Sequence, residues 1–187
     1  MLLQLIVNHP QALGAILKNT PIWVWGLLTG FTALGLSQAR ARTASLVRIA
    51  AMPVAMTVFS LWGTISSFGG SPMFGYVMLA WMFAASLAFA VVTPISLSSA
   101  TSYDAESRTF TMPGSWVPML LILGIFLTKY VVGVELTMQP TLAHDGQYTL
   151  VAGTLYGLFS GIFAGRAARL LLLARRTATF GTPALTA

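Results

Sequence analysis

The sequence lacks cysteine and has only four acidic residues and two histidines in 187 residues. Without cysteine, the chain alone forms no disulfide, no thiolate metal site and no iron–sulfur cluster. His9 and His144 lie on connecting segments, so they cannot supply the axial ligand pair of a b-type haem inside a membrane. A weak metal site of both histidines with Asp145 is an alternative to ordinary solvated loop residues. We expect no metal and no cofactor.

A membrane enzyme normally needs clustered acid, base, nucleophile or metal groups, and this sequence has few residues that could supply them. Asp104, Glu106 and Arg108 are close in sequence, but no histidine or second acidic cluster accompanies them. They indicate a solvated turn. We predict no catalytic residues, and a membrane-embedded enzyme is the third of three functions that we consider.

Charged residues make up only 7% of the chain, whereas 56% are hydrophobic and the mean hydropathy is +0.80. Too few polar groups are present to cover a soluble globule, so the chain needs lipid as its solvent. Apolar runs of about 20 residues can satisfy their backbone inside a bilayer only as helices. The sequence predicts an all-α polytopic membrane helix bundle, a single domain over 1–187 with five transmembrane helices. The predicted spans are 21–38, 49–68, 73–97, 115–138 and 148–173.

Two segments outside the spans have a predicted structure. The N-terminal segment 1–19 lacks the basic start of a signal peptide, so we expect it to be retained. Leu13, Ile16 and Leu17 recur there at helical spacing, which predicts a short interfacial helix. The polar loop 98–114 has an extended stretch between turn residues, which predicts a small hairpin at the membrane surface.

Basic residues give the formal net charge of +6, and they lie mostly on one side of the predicted bundle. Only Lys18 lies clearly on the other side. By the positive-inside rule the N-terminus faces out and the C-terminus faces the cytoplasm of a bacterial inner membrane. Topology and attraction to anionic lipid head groups explain these charges. We therefore exclude nucleic acid as a partner and expect the lipid bilayer. The basic residues of the cytoplasmic side are Arg40, Arg42, Arg48, Arg108, Arg166, Arg169, Arg175 and Arg176.

Glycines recur every four residues in the fifth predicted helix and line one side of it, which lets another backbone approach closely. Gly26 and Gly30 in the first helix, and three alanines in the third, offer matching surfaces. The pattern indicates a glycine zipper that packs helices within one subunit, forms a homo-oligomer or another protein interface, or lines a pore. The series is Gly153, Gly157, Gly161 and Gly165, and the alanines are Ala80, Ala84 and Ala88.

Lys129 and Glu135 are charged residues within the fourth predicted span. Six residues turn a helix by about 600°, so the two side chains point roughly 120° apart and do not favour a simple pair. Lys129 either snorkels to the outer interface or faces an outward-open cavity, where it could bind an anionic ligand. Tyr130 and Tyr156 are candidates for additional hydroxyl contacts in such a ligand site.

Three short motifs carry a resemblance to a known group. They are Thr20-Pro21-Ile22-Trp23-Val24-Trp25-Gly26, Pro113-Gly114-Ser115-Trp116, and Phe126 with Lys129-Tyr130. Together they resemble small bacterial multi-pass inner-membrane proteins that form a family of unknown function. The resemblance implies topology and bacterial origin, and no activity, cofactor or catalytic residue. The layout is also similar to small multi-pass proteins of the cytochrome c biogenesis type, from which this chain departs by lacking cysteine.

Helix-packing surface is thus the strongest functional signal and reactive chemistry the weakest. We predict a non-enzymatic inner-membrane component that associates with itself or with another membrane protein. The alternative is a small transporter or channel for a solute or ion that uses Lys129 and Glu135.

Overall fold

The computed structural model describes residues 10–180, without the side chains of residues 10–13, 15, 52 and 178–180. Within this range the chain is mostly helical, and its residues fall into two compact units. Unit 1 comprises 10–39 and 115–143, and unit 2 comprises 40–114 and 144–180. The helices are α1 (Pro10–Asn19), α2 (Ile22–Gln38), α3 (Leu46–Phe68), α4 (Phe74–Val92), α5 (Val117–Met138) and α6 (Gly146–Phe180). The strands are β1 (Arg42–Ser45), β2 (Ser102–Asp104) and β3 (Thr109–Met112), and a 3-10 turn covers Pro140–His144.

Four of the described helices are long and apolar enough to cross a membrane, which makes the chain a multi-pass membrane protein. These segments are Leu46–Phe68, Phe74–Val92, Val117–Met138 and Gly146–Thr177. Helix α2, which covers most of the first predicted span, has 17 residues. At 1.5 Å per residue it is about 26 Å long, slightly less than the hydrocarbon thickness of about 30 Å. A fifth crossing by α2 stays a prediction.

In unit 1, aromatic packing joins α2 to α5. The ring of Phe31 meets that of Phe126 edge to face at a centroid distance of 5.9 Å, and Phe126 stacks on Tyr130 at 6.4 Å. The Tyr130 hydroxyl is 2.6 Å from the Thr20 hydroxyl in the turn before α2. Gly35 lies so close to α5 that an added Cβ would come within 2.8 Å of Met119 Cγ. These contacts hold the two helices side by side over most of their length.

In unit 2, α4 and α6 pack with their backbones in close contact. A Cβ atom placed on Gly157 or Gly161 would overlap a backbone carbonyl oxygen of α4, so only glycine fits there. Dispersion contacts and closely apposed backbones drive such pairing in lipid, where burial of apolar surface gives no advantage. The glycines and the α4 residues that they face are Gly153 with Val77, Gly157 with Trp81, Gly161 with Ala85 and Gly165 with Val92.

A three-stranded antiparallel sheet in the order β1-β3-β2 packs on the C-terminal half of α6 in unit 2. Phe110 of β3 pairs with Ala44 of β1 and with Tyr103 of β2. Phe110 is fully buried, and it shares a core with Ala167 and Ala174 of α6. The three-stranded sheet therefore covers part of α6 near one end of the α4–α6 pair.

The element boundaries differ from the predicted spans by one to three residues at the N-terminal ends and by more than that at two C-terminal ends. Helix α4 ends at Val92 rather than at 97, because Pro94 has no N–H to continue the hydrogen-bond ladder. Helix α6 continues past 173 to Phe180, and Ala174 in this extension belongs to the core shared with β1 and β3. The β2–β3 hairpin lies within the predicted loop 98–114, whereas β1 was not predicted. Of the predicted N-terminal segment 1–19, only α1 lies among the described residues.

We predict that Gly157→Ala destabilises the α4–α6 pair by about 1–3 kcal/mol, because the added methyl group forces the backbones apart. The matched control is Gly133→Ala in the middle of α5, where no described atom lies within 4 Å of the Cβ position. The control should unfold like wild type or be slightly more stable. Denaturant unfolding in detergent, followed by tryptophan fluorescence, measures both. Equal midpoints for the two variants would contradict the close contact.

Candidate functional site

An open groove of about 310 Å³ lies between α3, α4 and α6 of unit 2. Its floor is built of small residues of the close helix pair, and two aromatic rings stand beside them. The groove therefore exists because the glycine series brings α4 and α6 together. The lining residues are Thr57, Trp81, Ala85, Ser86, Phe89, Ser160, Gly161 and Ala164.

A hydrogen-bond network joins the three helices at the level of the groove. Trp81 of α4 donates from Nε1 to the Ser60 hydroxyl of α3 at 3.1 Å. Ser60 donates in turn to the backbone carbonyl of Tyr156 in α6 at 3.3 Å, and Ser160 donates to the same carbonyl at 2.9 Å. All four side chains are buried. The network fixes the orientation of the Trp81 ring that forms one side of the groove.

The chemistry of the groove suits binding rather than catalysis. Its polar side chains are the hydroxyls of Thr57, Ser86 and Ser160, and no titratable group is among its lining residues. Small residues let another backbone come close, and serine and threonine hydroxyls can hydrogen-bond across a helix pair in lipid. The groove can thus accept a helix or an apolar chain.

The glycines predicted for a packing surface lie in different settings. Gly153, Gly157, Gly161 and Gly165 all face α4 of the same chain. By contrast, no described atom of unit 1 lies within 4 Å of a Cβ placed on Gly26 or Gly30 of α2. The glycine face of α6 is therefore occupied within the chain, and that of α2 is open within its own unit.

The predicted ligand residues divide between the units. Lys129, Tyr130 and Glu135 lie on α5 of unit 1, where Lys129 is half-buried and Glu135 is only 8% exposed. Tyr130 uses its hydroxyl in the contact with Thr20. Tyr156 belongs to unit 2 and is buried between its helices. No shared site of all four residues is formed within either unit.

The acidic loop residues have structural contacts. A hydrogen bond from Ser107 lowers the pKa of the Asp104 carboxyl, and it closes the turn between β2 and β3. Asp145 accepts the backbone N–H of Tyr148 at 2.7 Å and so caps the first turn of α6. Among the described residues no group of three histidine or acidic side chains could hold a metal ion. His9 lies outside those residues.

A group of arginines in unit 2 was interpreted from the sequence only as a topology signal. Arg166 and Arg169 are three residues apart on α6, and β1, which carries Arg42, packs on the same helix. Burial, and then the nearby charge of Arg48, lower the pKa of Arg42. The spacing of three between Arg166 and Arg169 was visible in the sequence, but the approach of Arg42 depends on the unpredicted strand β1.

We predict that Ser60→Ala destabilises unit 2 by about 1–3 kcal/mol, because the buried Trp81 N–H loses its acceptor. Ser66→Ala is the matched control, since Ser66 is on the same helix, is exposed and bonds only the carbonyl of Gly63 in the described structure. Thermal unfolding in detergent compares the two. A Ser60→Ala protein as stable as the control would show that the Trp81 hydrogen bond is dispensable.

Comparison with known proteins shows the family of the chain and no activity. No curated protein and no solved structure matches the sequence. The Family of unknown function (DUF6622) matches residues 1–180, nearly the whole chain. This match confirms the predicted family resemblance, and the chain is a member of the DUF6622 family.

Proposed function

We propose that this protein is a non-enzymatic component of a bacterial inner membrane that receives a transmembrane helix in the groove of unit 2. The helix belongs to a second copy or to another membrane protein. The observation that carries the proposal is the groove itself, a surface of small residues and hydroxyls on an otherwise apolar helix pair. Such a surface is typical of helix–helix contacts in lipid.

We assign the partner to the groove and not to the glycine face of α6. The glycines of that face meet α4 of the same chain, where an added Cβ would collide with α4 atoms, so the face has no room for another helix. Beside it, Ala85, Gly161 and Ala164 leave the groove open, and Ser86 at its edge is exposed. A docked helix would gain close packing on the floor and hydrogen bonds at the hydroxyls.

A second copy of the chain can supply a suitable helix. Gly26 and Gly30 of α2 form a small-residue face at spacing four that is open within unit 1. The proposal includes α2 as a fifth crossing, with the N-terminus outside and the C-terminus in the cytoplasm. This orientation is supported by the arginines near the C-terminal half of α6 and by the positive-inside rule.

A small transporter or channel is the second candidate, and the burial of Glu135 in the candidate membrane helix α5 favours it. Ionisable groups at membrane depth often mark ion or substrate pathways. This candidate predicts ion or proton flux in proteoliposomes that Glu135→Gln abolishes. The association proposal predicts no flux above that of empty liposomes.

We predict that Ser86→Leu weakens association by about tenfold or more, because the larger side chain fills the groove that the partner helix needs. Ser66→Leu adds the same side chain on an exposed part of α3 outside the groove, and it should associate like wild type. Energy transfer between differently labelled copies in proteoliposomes, diluted with lipid, measures self-association.

Crosslinking in native membranes, followed by mass spectrometry, tests whether the helix in the groove belongs to another membrane protein. A partner protein that crosslinks to wild type and Ser66→Leu, but not to Ser86→Leu, would identify a heterologous helix as the occupant. If neither self-association nor a partner crosslink depends on Ser86, the groove is not a docking surface.

A further inference from the structure

Two hydroxyl groups of the groove have no hydrogen-bond partner among the residues that the structure describes. They belong to Thr57 of α3 and Ser86 of α4, which both line the groove. Most other hydroxyls in the membrane helices donate to a backbone carbonyl one turn earlier, as those of Thr64, Thr128 and Thr137 do. Thr57 is half-buried and Ser86 is exposed, so a docked helix can reach both side chains.

The two hydroxyls lie deep in the hydrocarbon layer. Thr57 is in the middle of the 23 residues of α3, about 16 Å from either end. The hydrogen bond from Trp81 to Ser60 relates α4 to the same depth. Helices α3 and α4 run in opposite directions, because only the short turn 69–73 joins them. Thr57 is three residues before Ser60 and Ser86 is five residues after Trp81, so their depths differ by only about 3 Å.

At this depth neither water nor lipid offers a hydrogen-bond partner. The polar atoms of a phospholipid lie at the edge of a hydrocarbon core about 30 Å thick, so they are about 15 Å from its centre. A hydroxyl without a partner in such an apolar environment costs free energy. A transmembrane helix can bring a polar side chain to the centre of the bilayer and bond across the helix pair. The hydroxyls therefore favour a helix over a lipid chain as the occupant.

The space in the groove favours an amide side chain on that helix. Packed interiors contain few voids larger than a water molecule. A backbone laid across the groove would leave much of its volume of about 310 Å³ unfilled, whereas a side chain that enters would fill it. An amide suits two hydroxyls, because its oxygen accepts hydrogen bonds and its NH₂ group donates them. A serine or threonine of the partner could instead bond a carbonyl of its own helix.

We propose that the groove receives an asparagine or glutamine side chain from the middle of the docked helix, bound by the hydroxyls of Thr57 and Ser86. This inference rests on the proposed helix docking and selects between its two kinds of partner. The asparagines and glutamines of this chain all precede α2 or lie at an end of a helix, so a second copy has no amide at this depth. The occupant is therefore another membrane protein. These residues of the chain are Gln4, Asn8, Gln11, Asn19, Gln38, Gln139 and Gln147.

Binding of model transmembrane peptides to the full-length protein tests the inference. One peptide is a leucine–alanine helix with a single asparagine at its centre, and the other has leucine there. Energy transfer between labelled protein and labelled peptide in phosphatidylcholine vesicles measures binding, at densities where the peptides show no transfer among themselves. Wild type is expected to bind the asparagine peptide about tenfold more tightly, since each hydrogen bond across helices gives about a three- to tenfold gain.

Thr57→Val with Ser86→Ala removes both hydroxyls and adds no bulk. This double variant should bind the two peptides equally. The matched control is Thr154→Val on α6, because Thr154 is half-buried, does not line the groove and has no hydrogen bond from its hydroxyl among the described residues. The control should keep the preference for the asparagine peptide. A preference that survives in the double variant, or that is lost equally in Thr154→Val, overturns the inference.

Ser86→Ala alone keeps the inference testable if the double variant does not fold, as judged by circular dichroism. Ser86 is exposed and makes no hydrogen bond through its side chain in the described structure, so its hydroxyl can be removed without loss of a structural contact. The preference for the asparagine peptide should fall about threefold. An unchanged preference would contradict the role of Ser86 and overturn the inference.

Ser86→Leu separates failure of this inference from failure of helix docking. It fills the groove and should weaken binding of both peptides by about tenfold or more. If wild type shows no preference for asparagine while Ser86→Leu still weakens both peptides, helix docking stands and the amide assignment is wrong. If Ser86→Leu binds both peptides like wild type, the groove is not a docking surface and both proposals fail.

Two further outcomes would overturn the assigned occupant. A peptide with glycine at its centre exposes its backbone carbonyls and has no polar side chain. If it binds as tightly as the asparagine peptide, the hydroxyls bond a carbonyl and not an amide. Self-association of the protein that Thr57→Val with Ser86→Ala weakens would assign a second copy to the groove, in place of another membrane protein.

Discussion

The close backbone contact between α4 and α6 is the constraint on which the rest of unit 2 depends. At Gly157 and Gly161 the carbonyl oxygens of α4 occupy the space that a side chain would need. Apolar surface alone cannot drive this pairing in lipid, so the fit of the two surfaces must supply it. The contact sets the groove on one side of the pair and brings Trp81 within reach of Ser60 in α3.

Polar groups occur in unit 2 at two depths, and each depth has its own chemistry. Beside the groove, the Ser60 and Ser160 hydroxyls both donate to the backbone carbonyl of Tyr156. Their hydrogen-bond donors are therefore satisfied within the chain. At the end of the helix pair, Arg169 donates to the carbonyl of Ile95, just beyond α4. The first set of contacts joins α4 and α6 to α3, and the second holds the chain that follows α4 against α6.

Sequence patterns predicted the membrane character and most helix positions, because apolar runs and glycine spacing are local properties. The same patterns left the neighbour of the α6 glycines open, since Gly26 in the first helix and Ala84 in the third offered similar small surfaces. The structure places α4 there. The groove could not be predicted, because it depends on residues that are distant in the chain. Strand β1 could not be predicted either, because its four residues are too few for hydrophobic alternation in the sequence to identify a strand.

Membership in a family of unknown function supplies no chemistry, so function has to be argued from surfaces that the fold does not use. The glycine face of α6 is used, and so is the hydroxyl of Tyr130. In unit 2 the exposed Ser86 lies beside a floor of small residues in the groove. Because Ser86 is not one of the α4 residues that the α6 glycines meet, a change at Ser86 can test helix association without altering the α4–α6 contact.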